Sequence, residues 1–194
     1  MLIYVRHGET KLNGVGDGER LRGWLPVPLT PKGERQAHAV AAKISLRPDT
    51  FQTSDLHRAK QTATIVGQHL GMTPTLDSNV RDWNTGALAG KKVLEVLPQL
   101  QHLIDHPQES APQGEPFQTY LDRFVPAMKT LVTSPGTHLV VGHARGGAIL
   151  DGLASRVGGV GDQVDPAMVK EKPRVQPGGV MLIDPQWHVK VKNP

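Results

Sequence analysis

The sequence predicts an α/β domain of three layers, with helices on both faces of a mostly parallel central sheet. Three observations predict it. Short apolar runs of strand length alternate with longer segments whose apolar residues recur at helical spacing. Two of the runs, Ile3-Tyr4-Val5 and Leu139-Val140-Val141, lack polar alternation, as strands covered on both faces do. Helix caps and glycines separate the elements. A chain of 194 residues suits one domain over 1–194, with no internal repeat and no boundary.

Residues 2–5 read as the first, buried strand. Residues 8–29 follow without periodicity and hold five glycines and two prolines, so they form a long loop of the kind that carries function. Thr30 caps the next helix, Pro31 fits its first turn, and Ala37, Val40, Ala41 and Ile44 form its apolar stripe. Residues 50–53 are a short strand. Ser54 and Asp55 are expected to cap a helix over 56–70 that Gly71 ends.

Residues 74–76 read as another short strand and 91–104 as a helix. The polar segment 106–116, with three prolines, is a surface loop. Phe117, Tyr120, Leu121, Phe124 and Met128 line one side of a helix over 117–132. Residues 138–141 form a strand core and 144–156 the helix after it. Residues 157–178, rich in Gly, Pro and charge, read as a mobile excursion. Residues 180–183 and 187–191, split by Asp184-Pro185-Gln186, form a hairpin near the C-terminus.

Composition narrows the function. The chain has no cysteine, which excludes disulfides, cysteine-ligated zinc and iron–sulfur clusters. Arg6 cuts the first apolar run too early for a signal peptide or membrane span, and no other stretch reaches spanning length. A cytoplasmic enzyme without membrane attachment is expected. The net charge of +4 suits an anionic ligand. Nucleic acid is not expected, since no dense basic block occurs and aromatics are only 4%.

Three segments share one plan, an apolar strand ending in cationic or imidazole side chains. They are Ile3-Tyr4-Val5-Arg6-His7-Gly8-Glu9-Thr10, then Thr53-Ser54-Asp55-Leu56-His57-Arg58, and Leu139-Val140-Val141-Gly142-His143-Ala144-Arg145. In a parallel sheet the carboxyl ends of strands share one edge, where ligands bind. Arg6, His7, Arg58 and His143 are therefore expected to converge. Helices that start after residues 54 and 143 would aim their N-termini there, which favours an anion. Guanidinium forks, imidazoles and free amides describe a phosphate site. A neutral imidazole is also a competent nucleophile, so one histidine can split a displacement into two steps. A carboxylic acid must then protonate the leaving oxygen.

These residues resemble the histidine phosphatase superfamily, the phosphoglycerate-mutase-like group. Arg6-His7-Gly8-Glu9-Thr10 with Asn13 matches its N-terminal signature. Gly23-Trp24, the run from Pro28 to Ala37, and Ser54 to Ala63 match its next segments. Gly114-Glu115 and Val140-Val141-Gly142-His143 follow in the expected order. The resemblance implies that His7 is the phosphorylated nucleophile and that Arg6, Arg58 and His143 hold the phosphoryl oxygens. Asn13 would lie at the pocket edge, and the Ala144 amide would bind phosphate. Asp82, four residues before Gly86, stands where the family has a glutamate general acid; Glu9 and Glu115 are rival acids. No metal and no organic cofactor is implied.

Several residues depart from the family pattern. Asp82 is one methylene short, Ala89 replaces a glutamate, and Ala144 replaces a glycine. Trp83 and Thr85 stand where the sugar-phosphate mutases carry Arg and Tyr. The expectation is a phosphatase acting on a small-molecule phosphate monoester. A phosphoryl mutase and a catalytically weak phospho-ligand binder are the alternatives, and a homodimer is left open. His102 and His106, four apart, read as surface residues; Trp24 lines the cleft or anchors its loop.

Overall fold

A computed structural model describes residues 1–14, 18–155 and 175–194. Among these residues, six strands and five α-helices follow one another as β1 (Leu2–Arg6), α1 (Pro31–Lys43), β2 (Thr50–Thr53), α2 (His57–Leu70), β3 (Thr75–Leu76), α3 (Val93–Asp105), α4 (Phe117–Thr133), β4 (His138–Gly142), α5 (Ala144–Ser155), β5 (Val180–Ile183) and β6 (Val189–Lys192). The strands form one sheet in the order β3-β2-β4-β1-β5-β6. The first four are parallel to one another, while β5 and β6 run antiparallel at one side.

Strand alternation sorts the core into two layers. Leu2, Tyr4 and Val140 face a cluster built from α3, α4 and α5, which includes Phe117, Tyr120, Phe124, Ile149 and Leu150. Ile3, Val5, Leu139 and Val141 face the opposite cluster, which holds Val40 and Ala41 of α1 and Ala59, Ala63 and Val66 of α2. Both β1 and β4 are buried along their whole length, as their unbroken apolar runs predict. Among the described residues, no helix is long and apolar enough to cross a membrane.

Local chemistry sets most boundaries. Thr30 Oγ1 accepts the Gly33 amide at 3.0 Å and Pro31 opens α1, as predicted. Gly71 ends α2 at φ 63°. The start of α2 differs from the expectation: Asp55 caps nothing there, because its carboxylate forms an ion pair with Arg81. Ser54 Oγ instead accepts the Leu56 amide at 3.2 Å. The final strand begins at Val189, two residues later than predicted. Trp187 adopts φ 64°, and that turn buries its indole against the core cluster. The excursion expected over 157–178 lies outside the described residues as far as 174.

Register then assembles the site. Arg6 pairs with Gly142, and Thr53 pairs with Val141. The residues just past these positions, His7, His143 and Ser54, therefore share one edge of the sheet.

Candidate active site

His7 is 1% exposed and is held by its backbone and its ring. Its amide extends the ladder to the Gly142 carbonyl at 3.0 Å. Its Nδ1 lies 2.7 Å from the Gly8 carbonyl oxygen, an acceptor only, so Nδ1 carries the hydrogen and donates. The Nε2 lone pair is thereby left for chemistry, and Arg58 Nε donates to it at 3.2 Å. Burial first, then the Arg58 charge, then His143, push the His7 pKa well below the usual histidine range. The ring is neutral near pH 7, the form a nucleophile needs.

Arg58 is wholly buried on the first turn of α2 and joins the parts of the site. Its Nη2 donates to the Gly23 carbonyl at 2.9 Å and its Nη1 to the Leu25 carbonyl at 3.3 Å. Asp82 Oδ2 lies 3.6 Å from Nη2. Burial lowers the Arg58 pKa to about 10, and the Asp82 charge opposes that shift. The guanidinium therefore remains charged at neutral pH.

Arg6 is 5% exposed and donates from Nη1 to the Val175 carbonyl at 2.9 Å. Burial, then repulsion from Arg22, lowers its pKa to about 10. The His143 ring centroid is 5.3 Å from that of His7. Arg6 Nε and His143 Nδ1 are both buried and have no hydrogen-bond partner among the described residues. Buried polar atoms of this kind are costly unless a ligand meets them, and an anion's oxygens would. Ala144 opens α5, whose first-turn amides have no intrahelical acceptor and lie on the same edge.

Asp82 is the carboxylate that approaches Arg58. Its side chain is 11% exposed and it faces Arg58. Several groups fix its backbone. The Asp82 carbonyl accepts from Trp24 Nε1 at 2.8 Å and from Arg123 Nη2 at 3.0 Å. Arg123 also donates to the carbonyls of Asn79 at 3.0 Å and Arg81 at 2.9 Å. Trp24 therefore anchors the Asp82 loop, while the Arg81 guanidinium covers its ring at 4.5 Å.

The rival carboxylates are engaged elsewhere. Glu115 accepts from Arg123 Nη2 at 2.6 Å and from the Asn84 amide at 2.9 Å. Glu9 accepts from Lys32 Nζ at 2.7 Å and from Thr30 Oγ1 at 3.1 Å, and the Lys32 bond lowers its pKa. Asn13 closes a local turn, its Oδ1 accepting from the Thr10 amide and hydroxyl, each at 2.9 Å. Those contacts tie it to Thr10, directly after the His7 loop. His102 pairs with Glu109 at 2.9 Å on the surface.

Trp83 is a core residue, not a pocket residue. It is 1% exposed, packs edge-on against Phe117 with ring centroids 5.0 Å apart, and donates to the Glu115 carbonyl at 2.8 Å. Arg145 reaches back over its ring at 5.1 Å. Trp83→Ala should cost about 3–5 kcal/mol of stability, seen as a lower urea midpoint.

Arg22 escaped the sequence reading. Its charge acts on Arg6, His7, Arg58 and His143 alike. It immediately precedes Gly23, whose carbonyl Arg58 grips, and that adjacency was the available signal. Tyr4, Ser54 and Arg123 were missed too, because their partners are remote in sequence.

The pH dependence has a definite sign. Protonating His7 fills its Nε2 lone pair, and its pKa is depressed. The acid limb of kcat/KM, which reports the free enzyme, should therefore fall below pH 6.5. Initial rates in constant-ionic-strength buffers check this; an acid limb above pH 6.5 would contradict the geometry.

Comparison with known proteins adds to this geometry. A family model described as the histidine phosphatase superfamily (branch 1) matches residues 2–160. The chain is 30% identical over 190 residues to "Probable phosphoglycerate mutase GpmB" of Serratia proteamaculans, covering 94% of this chain and 83% of that protein. The corresponding Salmonella paratyphi C protein is 32% identical with the same coverage. A crystal structure of phosphoglycerate mutase from Thermus thermophilus superposes with a TM-score of 0.69 at 26% identity, over 94% of this chain and 92% of that one. A mycobacterial glucosyl-3-phosphoglycerate phosphatase complexed with VO3 shares the fold, with a TM-score of 0.70 at 23% identity over 93% and 90% of the two chains.

Proposed function

The chain belongs to the histidine phosphatase superfamily, and on that premise we propose that it is a phosphatase that hydrolyses a phosphate monoester through a phosphohistidine on His7. One observation carries the reading. A single guanidinium, Arg58, donates to the His7 Nε2 lone pair at 3.2 Å and lies 3.6 Å from the Asp82 carboxylate, so nucleophile and acid flank one anion-binding group.

The proposed chemistry has two steps. His7 Nε2 attacks phosphorus, the ester P–O bond breaks, and the Asp82 carboxyl, having taken up a proton as the phosphate ester binds, passes it to the leaving oxygen. Water then attacks the phosphohistidine, Asp82 takes a proton from that water, and the P–N bond breaks to release orthophosphate. Arg6, Arg58 and His143 hold the phosphoryl oxygens through both steps, and the α5 amides add to the field. The protein supplies every group this scheme uses, so the scheme calls on no metal or organic cofactor.

Two facts favour hydrolysis over transfer back to a bound product. Trp83 is 1% exposed within the core and Thr85 is equally buried, so neither is placed to grip a substrate carboxylate as the expected Arg and Tyr of mutases would. The mutase reading is favoured by the names of the relatives at 30–32% identity.

The discriminating experiment follows orthophosphate release from a panel of phosphate monoesters in excess EDTA, beside interconversion of 3- and 2-phosphoglycerate with a bisphosphorylated primer. Phosphate release without isomerisation is expected. Primer-dependent isomerisation, or hydrolysis that EDTA abolishes, would overturn the proposal.

A further inference from the structure

Tyr4 is fully buried on β1, three residues before His7, and its hydroxyl reaches across the sheet to His143. The phenol oxygen accepts the His143 amide at 2.7 Å and donates to the His143 carbonyl at 2.9 Å. One hydroxyl thus satisfies both backbone groups of the residue where β4 has ended and α5 begins. Burial raises the Tyr4 pKa above the usual phenol value, so the donor keeps its proton.

The neighbouring sequence makes room for this contact. A Cβ on Gly142 would lie 2.3 Å from the Tyr4 hydroxyl oxygen, and one on Gly146 would lie 2.4 Å from it. Glycine on both sides of His143 is therefore what admits the phenol.

A second hydroxyl holds the ring. Ser54 Oγ accepts the Leu56 amide and lies 2.8 Å from His143 Nε2. Ser54 is fully buried, and among its described contacts Nε2 is the acceptor its hydroxyl hydrogen can reach, so the hydroxyl donates to Nε2. Burial and the Arg58 charge keep the ring neutral, so its single hydrogen sits on Nδ1. That is the buried nitrogen without a partner among the described residues, on a ring centred 5.3 Å from the His7 ring.

We propose that Tyr4 and Ser54 are positioning residues that clamp His143 by its backbone and its ring, so that Nδ1–H is a fixed donor to the phosphoryl oxygens at His7. The assignment rests on the phosphoryl-site reading above. It also gives a physical reason for Gly142 and Gly146 in the Gly142-His143-Ala144-Arg145-Gly146 segment.

Orthovanadate tests it, because the anion occupies a phosphoryl site without turnover. Its affinity is measured by calorimetric titration for the wild type, Tyr4→Phe, His143→Ala and the double variant. Tyr4→Phe should weaken binding about tenfold, the loss expected when a charge-assisted hydrogen bond is misaligned, and should have no further effect once His143 is gone. Equal weakening in both backgrounds would mean a merely structural role and overturn the proposal, as would unchanged binding. If Tyr4→Phe fails to fold, Ser54→Ala runs the same cycle on the ring side. Wild type that binds vanadate with this coupling but hydrolyses no ester sinks the phosphatase reading alone. Wild type that binds no vanadate overturns both.

Discussion

Replacing His7 with alanine is expected to lower hydrolysis of p-nitrophenyl phosphate in excess EDTA at least about a thousandfold, because it removes the group proposed to attack phosphorus. The backbone bond from the His7 amide to the Gly142 carbonyl is independent of the side chain, so the sheet edge should persist. The lost ring leaves Arg58 Nε without its acceptor, which costs about 1–3 kcal/mol of stability. A far-ultraviolet spectrum like that of the wild type, a modest drop in melting temperature and no acid-labile phosphoprotein are the expected set. His143→Ala should be milder, about a hundredfold, because it removes a proposed donor and not the proposed nucleophile. Appreciable turnover in the His7 variant would mean that another group attacks phosphorus.

The elements that bring these residues together were legible because their signals are local. The unbroken apolar runs of β1 and β4 state that both faces are covered, and each run ends in its imidazole. Thr30 and Gly71 mark helix ends through contacts within a few residues. Legibility fails where the deciding partner is distant. Asp55 is a fair cap by composition, but Arg81, 26 residues on, takes its carboxylate. Tyr4 reads as one more core aromatic until β1 and β4 pair and bring its hydroxyl to His143, 139 residues away. Arg123 gives no local sign that it holds the carbonyl of Asp82 and the carboxylate of Glu115 together. Burial of Trp83 likewise follows from its packing on Phe117, which no short pattern around residue 83 encodes.

Arg58→Ala should lower kcat about a thousandfold and also move the pH profile, and the second effect separates its role from that of a structural cation. The guanidinium is wholly buried and holds four groups: His7 Nε2, the Gly23 and Leu25 carbonyls, and the Asp82 carboxylate. On the proposed mechanism, loss of the fork removes charge stabilisation from the transferring phosphoryl group. Lysine keeps the charge but cannot reproduce this planar set of donors, so Arg58→Lys should remain at least about a hundredfold impaired. The Arg58 charge is the second cause, after burial, of the depressed His7 pKa. Removing it lets His7 hold its proton to a higher pH. The acid limb of the residual kcat/KM should therefore shift upward, towards the ordinary histidine value, in Arg58→Ala, and stay near the wild-type position in Arg58→Lys. A cation that served only to tie Gly23 and Leu25 would cost stability in both variants and leave the acid limb where it was. Wild-type rates in Arg58→Ala, or an unmoved limb, would remove Arg58 from the catalytic pocket.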